Sequence, residues 1–181
     1  MDRKSGIVIQ ICIALAGIVL FLPGLGGVRL FDWDEINFAE SAREMLITGD
    51  LLNVQINFES FWEKPPLFIW MQALCMKVFG VGEMAARLPN AIAGIVTLLV
   101  LFNIGRRSNG ERFGLLWVIM YAASFFPFFY FKSGIIDPWF NLCIFLGIYF
   151  FSRYAAPGAK GKMMQNAALS ALFIGLGILT K

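Results

Sequence analysis

The chain contains no histidine, and only three of its 181 residues are cysteine. The missing histidine excludes imidazole acid–base catalysis and imidazole metal ligation by these residues. Carboxylates, Lys and Arg must therefore carry any chemistry. Cys12, Cys75 and Cys143 lie far apart, each inside an apolar run. No pair has the spacing of a thiolate metal site or a disulfide framework, which leaves them as small buried hydrophobes. Charge is scarce too: Asp, Glu, Lys and Arg make up 15% of the chain, with a net charge of +3. The basic residues are spread along the edges of apolar segments and form no nucleic-acid footprint. Glycine-rich phosphate loops, zinc motifs and Ser/His/Asp sets are absent. So are internal repeats, low-complexity tracts and a soluble second domain.

Apolar residues dominate instead. Hydrophobic residues make up 59% of the chain and aromatics 15%, with 19 Phe, and mean hydropathy is +0.72. A soluble domain of this size would expose too much of that surface to stay in solution. The composition predicts an all-α, polytopic transmembrane protein. Asp2-Arg3-Lys4 followed by Ile7 to Leu22 resembles the start of a signal peptide. No small-residue cleavage site follows, so it reads as an uncleaved first membrane helix.

A bilayer core needs about 20 apolar residues per helix. Five segments approach that length: about 7–25, 85–104, 113–131, 135–151 and 163–179, with an outer loop over 26–84. A sixth apolar stretch, Pro65–Gly80, is short and carries Gln72 and Lys77. Charge placement decides its fate. Arg3 and Lys4 set the N-terminus in the cytoplasm by the positive-inside rule. If Pro65–Gly80 does not span, Arg106, Arg107, Arg112, Arg153, Lys160 and Lys162 also fall there. Pro65–Gly80 then becomes an interfacial helix. Phe31–Pro66 and the turn Lys132–Asp137 come to lie together outside the cytoplasm. Within that loop Asp34–Ile47 reads as an amphipathic helix. Ile36, Ala39, Ala42 or Arg43, and Leu46 form its apolar side, and Asn37, Glu40, Ser41 and Glu44 its polar face. Asp32 or Asp34 caps its start and Gly49 ends it.

Three clusters have the residue types for chemistry. Asp32, Asp34 and Glu35 lie at the membrane surface between Phe31 and Trp33. They form either a charged helix start or a partly desolvated general base. In Glu63-Lys64-Pro65-Pro66 the prolines open a helix. Glu63 is a hard oxygen donor suited to a divalent cation, and Lys64 is a cation suited to a phosphate. Asp137, before Pro138, is either an N-cap or an active acid at the mouth of the fourth span, and Lys132 pairs either with it or with a phosphate. Arg87 reads as structural, snorkelling or pairing with Glu83 one turn earlier.

The ordered series Asp34-Glu35, Phe38-Ala39-Glu40, Arg43-Glu44-Met45-Leu46 and Gly49-Asp50 resembles the first outer loop of the GT-C glycosyltransferases. The likeness is greatest to the bacterial aminoarabinose transferases of lipid A and the protein O-mannosyltransferase group. Glu63-Lys64-Pro65-Pro66-Leu67, Trp70, Phe79-Gly80 and Ala86-Arg87-Leu88-Pro89 continue it in order. The resemblance implies an integral protein of the bacterial inner membrane, with its active loop outside the cytoplasm. It implies transfer of a sugar, with inversion, from a polyprenyl-phosphate donor to a lipid, glycan or protein acceptor. Asp34 and Asp137 match catalytic carboxylates, Lys64 the lipid-phosphate contact, and Glu63 a ligand of a divalent metal cofactor. The resemblance also implies Glu35 and Asn37 as substrate-binding residues. Asn37 stands where the family commonly has Arg, which shifts phosphate binding onto Lys64. The family's His metal ligand has no counterpart here. The chain reads as an N-terminal portion, inactive alone. The competing expectations are a lipid-headgroup transporter or flippase, and a non-catalytic truncated membrane protein. The first of these calls for ionisable residues at the bilayer midplane.

Overall fold

The computed structural model describes residues 3–31, 33–156 and 160–181. Asp32, one of the expected caps, and Pro157–Ala159 of the expected basic turn lie outside them. Helix α1 (Arg3–Phe21) follows the first apolar run and stops short of residue 25. Pro23 disfavours helix in the residue before it, and Gly24 takes φ +75°. Helix α2 (Asp34–Thr48) ends on Gly49, which adopts the left-handed conformation and returns its N–H to the Met45 carbonyl. Its N-cap is Trp33, at φ 72°, with no side-chain capping bond. Asp34 is therefore the first helical residue and caps nothing.

The register of α2 differs from the expected one. Phe38, Ala39, Ala42 and Met45 are buried while Ile36 is exposed. Ser41 and Glu44, expected on the polar face, are buried as well. The reason is that α2 is covered on two sides. Helix α3 (Leu67–Phe79) packs along it, and a small hairpin closes over Glu44. That hairpin pairs β1 (Gln55–Ile56) with β2 (Glu59–Ser60). Asn57 and Phe58 between them have φ 56° and 60°, the signature of a type I′ turn. The Phe58 N–H donates to Glu44 Oε2 at 2.9 Å, so the buried carboxylate holds the hairpin tip. This pair of two-residue strands is the one departure from an all-α fold among the described residues.

Helix α3 has 13 residues, about 20 Å, well short of a bilayer core of about 30 Å. Trp70 Nε1 donates to the Leu51 carbonyl at 2.6 Å, tying the preceding loop to it. Helix α4 (Glu83–Asn109) is the longest element at 27 residues. It packs against α1 and α3. It also packs against α5 (Glu111–Ala122), α6 (Phe125–Phe131) and α7 (Asp137–Ala155). Helix α8 (Met163–Thr180) forms a hairpin with α7.

The expected single span 113–131 is broken. Helices α5 and α6 meet at a 73° bend, at Ala123 and Ser124. Among the described residues α4 and α8 are long and apolar enough to cross a membrane, and α5 with α6 makes a third if counted as one. The largest core cluster joins Phe21 of α1, Leu98 and Phe102 of α4, and Phe131 of α6. Gly94 is needed there, because a Cβ would lie 2.8 Å from both Phe21 and Phe131. A smaller cluster of Phe38, Phe68 and Ile136, with Trp139 against it, packs the starts of α2, α3 and α7 together. This cluster positions the site.

Candidate functional site

Asp34 and Glu35 are neighbours on a helix, so their side chains point about 100° apart. Asp34 faces outward and is exposed. Glu35 faces inward and is 1% exposed. A buried carboxylate needs a full set of donors, and Glu35 has four. Arg87 Nε and Nη2 grip its two oxygens at 2.8 Å each. The Gly134 N–H donates to Oε1 at 2.5 Å and the Phe31 N–H to Oε2 at 2.6 Å. Both oxygens are committed to protein, so Glu35 is a structural carboxylate and does not present itself to substrate.

Arg87 is equally occupied. Nη1 donates to the carbonyls of Leu25 (2.8 Å) and Val28 (2.7 Å), and Nη2 donates to that of Arg29 at 2.9 Å. With the two bonds to Glu35, all five guanidinium N–H groups have partners. Its cation lies 5.7 Å from the Phe31 ring centroid. Arg87 thus pairs with Glu35, 52 positions away, and the expected local pair with Glu83 does not form. Removing one member of such a buried pair costs about 3–5 kcal/mol, because the other charge is left uncompensated.

The same loop is held from a second side. Lys132 Nζ donates to the Pro23 carbonyl at 2.7 Å and lies 5.4 Å from the Phe128 centroid. The turn after Lys132 is fixed by Asn90 of α4. Its Nδ2 donates to the Ser133 and Ile135 carbonyls, both at 2.6 Å. Gln72 of α3 donates to the Ala86 carbonyl at 2.8 Å.

Asp137 opens α7, and its Oδ1 meets Lys181 Nζ at 2.8 Å. Lys132, the expected partner, is spent on Pro23. Lys181 was not foreseen, since nothing in its local sequence distinguishes a helix-end cation from a solvated one. Glu63 is exposed and Lys64 half-buried, just before α3. Asn37 is half-buried on α2. No three His, Cys, Asp or Glu groups converge as a metal site among the described residues. Further along α2, Arg43 clasps Glu40 through Nε at 2.9 Å and through Nη2. That hydrogen bonding holds the Glu40 carboxyl below its usual range. Burial raises the Cys75 thiol, which keeps it an inert, protonated group.

The structure therefore brings Asp34 and the turn leading to Asp137 onto one frame through Glu35, and joins the start of α3 to it through Phe68. Residues 63–181 match the family described as dolichyl-phosphate-mannose-protein mannosyltransferase. The chain belongs to that family. Among curated relatives it is similar to the undecaprenyl phosphate-alpha-4-amino-4-deoxy-L-arabinose arabinosyl transferase of Edwardsiella ictaluri. Identity is 29% over 93% of this chain and 31% of the relative. The Shewanella sediminis enzyme of the same name is 26% identical over 98% of this chain and 33% of its own length. Among solved structures, ArnT from Cupriavidus metallidurans in the apo state superposes with a TM-score of 0.83. It is 24% identical and matches 99% of this chain and 33% of its own. The same protein bound to undecaprenyl phosphate gives 0.77. This family member is thus an integral membrane protein of the same helical fold. It spans about a third of the length of these relatives.

Proposed function

We propose that this chain supplies part of a membrane glycosyltransferase that uses a polyprenyl-phosphate-linked sugar as donor. The acceptor is a hydroxyl of a lipid, glycan or protein. The reaction takes place at the extracytoplasmic face of the bacterial inner membrane. In this reading all five apolar segments span, α2 and α3 lie along the outer surface, and the N-terminus is cytoplasmic.

The acceptor oxygen attacks the anomeric carbon and its proton passes to the Asp34 carboxylate. The bond from that carbon to the phosphate oxygen breaks with inversion, and the lipid phosphate leaves with the electron pair. Lys64 neutralises the charge gathering on the phosphate, and stabilising developing charge in this way is usually the largest single contribution. Asn37 lies one turn from Asp34 and bonds substrate as a neutral group. Asp137, with Lys181, completes the acidic side. Glu63 joins no group of three His, Cys, Asp or Glu side chains among the described residues, so these residues alone do not make the ligand set of a divalent cation.

One observation carries this reading. In a chain of this family, Asp34 projects an exposed carboxylate from a helix start whose next residue is clamped in place. The test is Asp34→Asn in the full-length protein, assayed for transfer from a polyprenyl-phosphate donor. General-base loss predicts a fall of about 10²–10⁴-fold in kcat. Near-wild-type turnover at equal membrane abundance would sink the assignment. Lys64→Ala in the same assay should lower kcat as well as raise the donor KM, because the phosphate gains negative charge as it leaves.

A further inference from the structure

The geometry points to Arg87 as a positioning residue that acts through Asp34, and to its five-donor shape rather than its charge as the working property. This inference rests on the glycosyl-transfer reading above. The Arg87 guanidinium touches the 25–29 loop through three carbonyls and the first turn of α2 through Glu35. The residue itself belongs to α4. Glu35 in turn receives the Gly134 N–H, three residues before Asp137. Two buried ions thus bring four separate pieces of backbone to one point. Asp34 extends from one piece and Asp137 follows another.

Beyond the packing of Phe38 on Phe68, no side-chain cap holds the start of α2 among the described residues. Trp33 makes no capping bond and is 80% exposed, so it anchors nothing. Its φ of 72° is unusual for a bulky residue. A chain entering a helix through such a conformation needs its next residues held from elsewhere. Glu35 is the residue held.

The turn at Gly134 has the complementary fit. A Cβ there would lie 3.2 Å from the Ala86 carbonyl, from Gln72 Nε2 and from Glu35 Cγ. Glycine therefore lets the turn approach closely enough for its N–H to reach the carboxylate.

A lysine at position 87 would keep the charge and could still meet Glu35. It has three donors in place of five and no planar fork, so it cannot also hold three carbonyls. A purely electrostatic role survives Arg87→Lys, and a positioning role does not. Small misplacements of a reacting group are expensive in rate, on the order of 100-fold for about 1 Å.

The experiment is a double-mutant cycle on the full-length protein in native-lipid nanodiscs, with kcat and both KM values measured. The variants are Asp34→Asn, Arg87→Lys and the two combined. Arg87→Lys should lower kcat by about 10–100-fold, with donor and acceptor KM moving little. In the Asp34→Asn background the same change should have almost no further effect, because the group it positions is gone. Multiplying effects would overturn the inference, as would Arg87→Lys with normal kcat. An Asp34→Asn enzyme of normal turnover would instead refute the underlying catalytic reading. If the combined variant is too slow to assay, spin labels at the exposed positions Ile36 and Phe126 give a second readout. Arg87→Lys should broaden their distance distribution at unchanged expression, and an unchanged distribution overturns the inference.

Discussion

Asn90 offers a sharp test of how the site frame is held. It is fully buried on α4, and its amide donates at 2.6 Å to the carbonyls on either side of Gly134. Asn90→Ala removes both donors and leaves two acceptors inside the protein. An orphaned buried acceptor costs about 1–3 kcal/mol. The shortened side chain adds a small void, and other donors recover part of the loss. The net expectation is about 2–5 kcal/mol. For a folding unit of this size each kcal/mol moves the midpoint by about 2–4 °C, so the melting temperature should fall by about 4–20 °C. Asn90→Asp keeps the shape but turns a carboxylate towards two carbonyl oxygens, and should fall further. A thiol-reactive dye followed during heating in detergent suits the measurement once Cys12, exposed rather than buried as expected, is replaced by Ser, because Cys143 is buried in the folded protein and reacts on unfolding. An Asn90→Ala midpoint within about 1 °C of wild type would refute the reasoning. So would Asn90→Asp melting above Asn90→Ala.

Gly114 on α5 packs directly onto α4: a Cβ there would lie 2.8 Å from the Phe102 carbonyl oxygen. Backbone cannot rotate away as a side chain can, so Gly114→Ala should part the helices and destabilise by about 1–3 kcal/mol, read in the same melt. Glu40 gives a pH prediction. Arg43 lowers its folded pKa from the usual 4.5, so the pair stabilises above about that pH and the contribution disappears as pH falls through the lower folded value. Glu40→Gln should therefore melt slightly below wild type at neutral pH, and at the same temperature in strong acid. A gap that widens on acidification would contradict the ion pair.

Much of this architecture was legible in the chain, for physical reasons. Apolar runs long enough to matter stand out against 15% charge, and Gly49 and Gly80 mark boundaries by conformations that other residues resist, whereas Pro23 ended α1 inside the expected 7–25 span. The shortness of Pro65–Gly80 could be read from its length, and α3 has 13 residues. The bend between α5 and α6 was hidden because seven aromatic-rich residues, Phe125–Phe131, raise hydropathy whatever the helix axis does. The hairpin was hidden because its strands are two residues long, below any periodic signal. Asp34, Lys64 and Asp137 were picked out by residue type. What was misjudged was the phase of α2. Ile36, Phe38, Ala39, Met45 and Leu46 fit two helical faces almost equally well. The choice between them depends on α3 and the hairpin, which lie outside the segment.

The inward carboxylate shows how such a phase error can be caught. Local spacing favoured Glu83 as the partner of Arg87, since residues four apart meet on a helix surface. That pairing ignores depth. Arg87 is 3% exposed, and a guanidinium there needs an acceptor that can be buried with it, without water to share the load. Glu83, on the outer turn of α4, would have to leave solvent to serve. Glu35 is buried by the fold in any case, once Phe38 packs on Phe68 with their centroids 6.1 Å apart. A residue three positions before a buried Phe lies on the same helical face. In a chain this poor in charge, that placement turns a misread surface acid into the required counter-ion. The buried arginine and the face of Phe38 together identify Glu35, and with Glu35 turned inward, Asp34 is left pointing out.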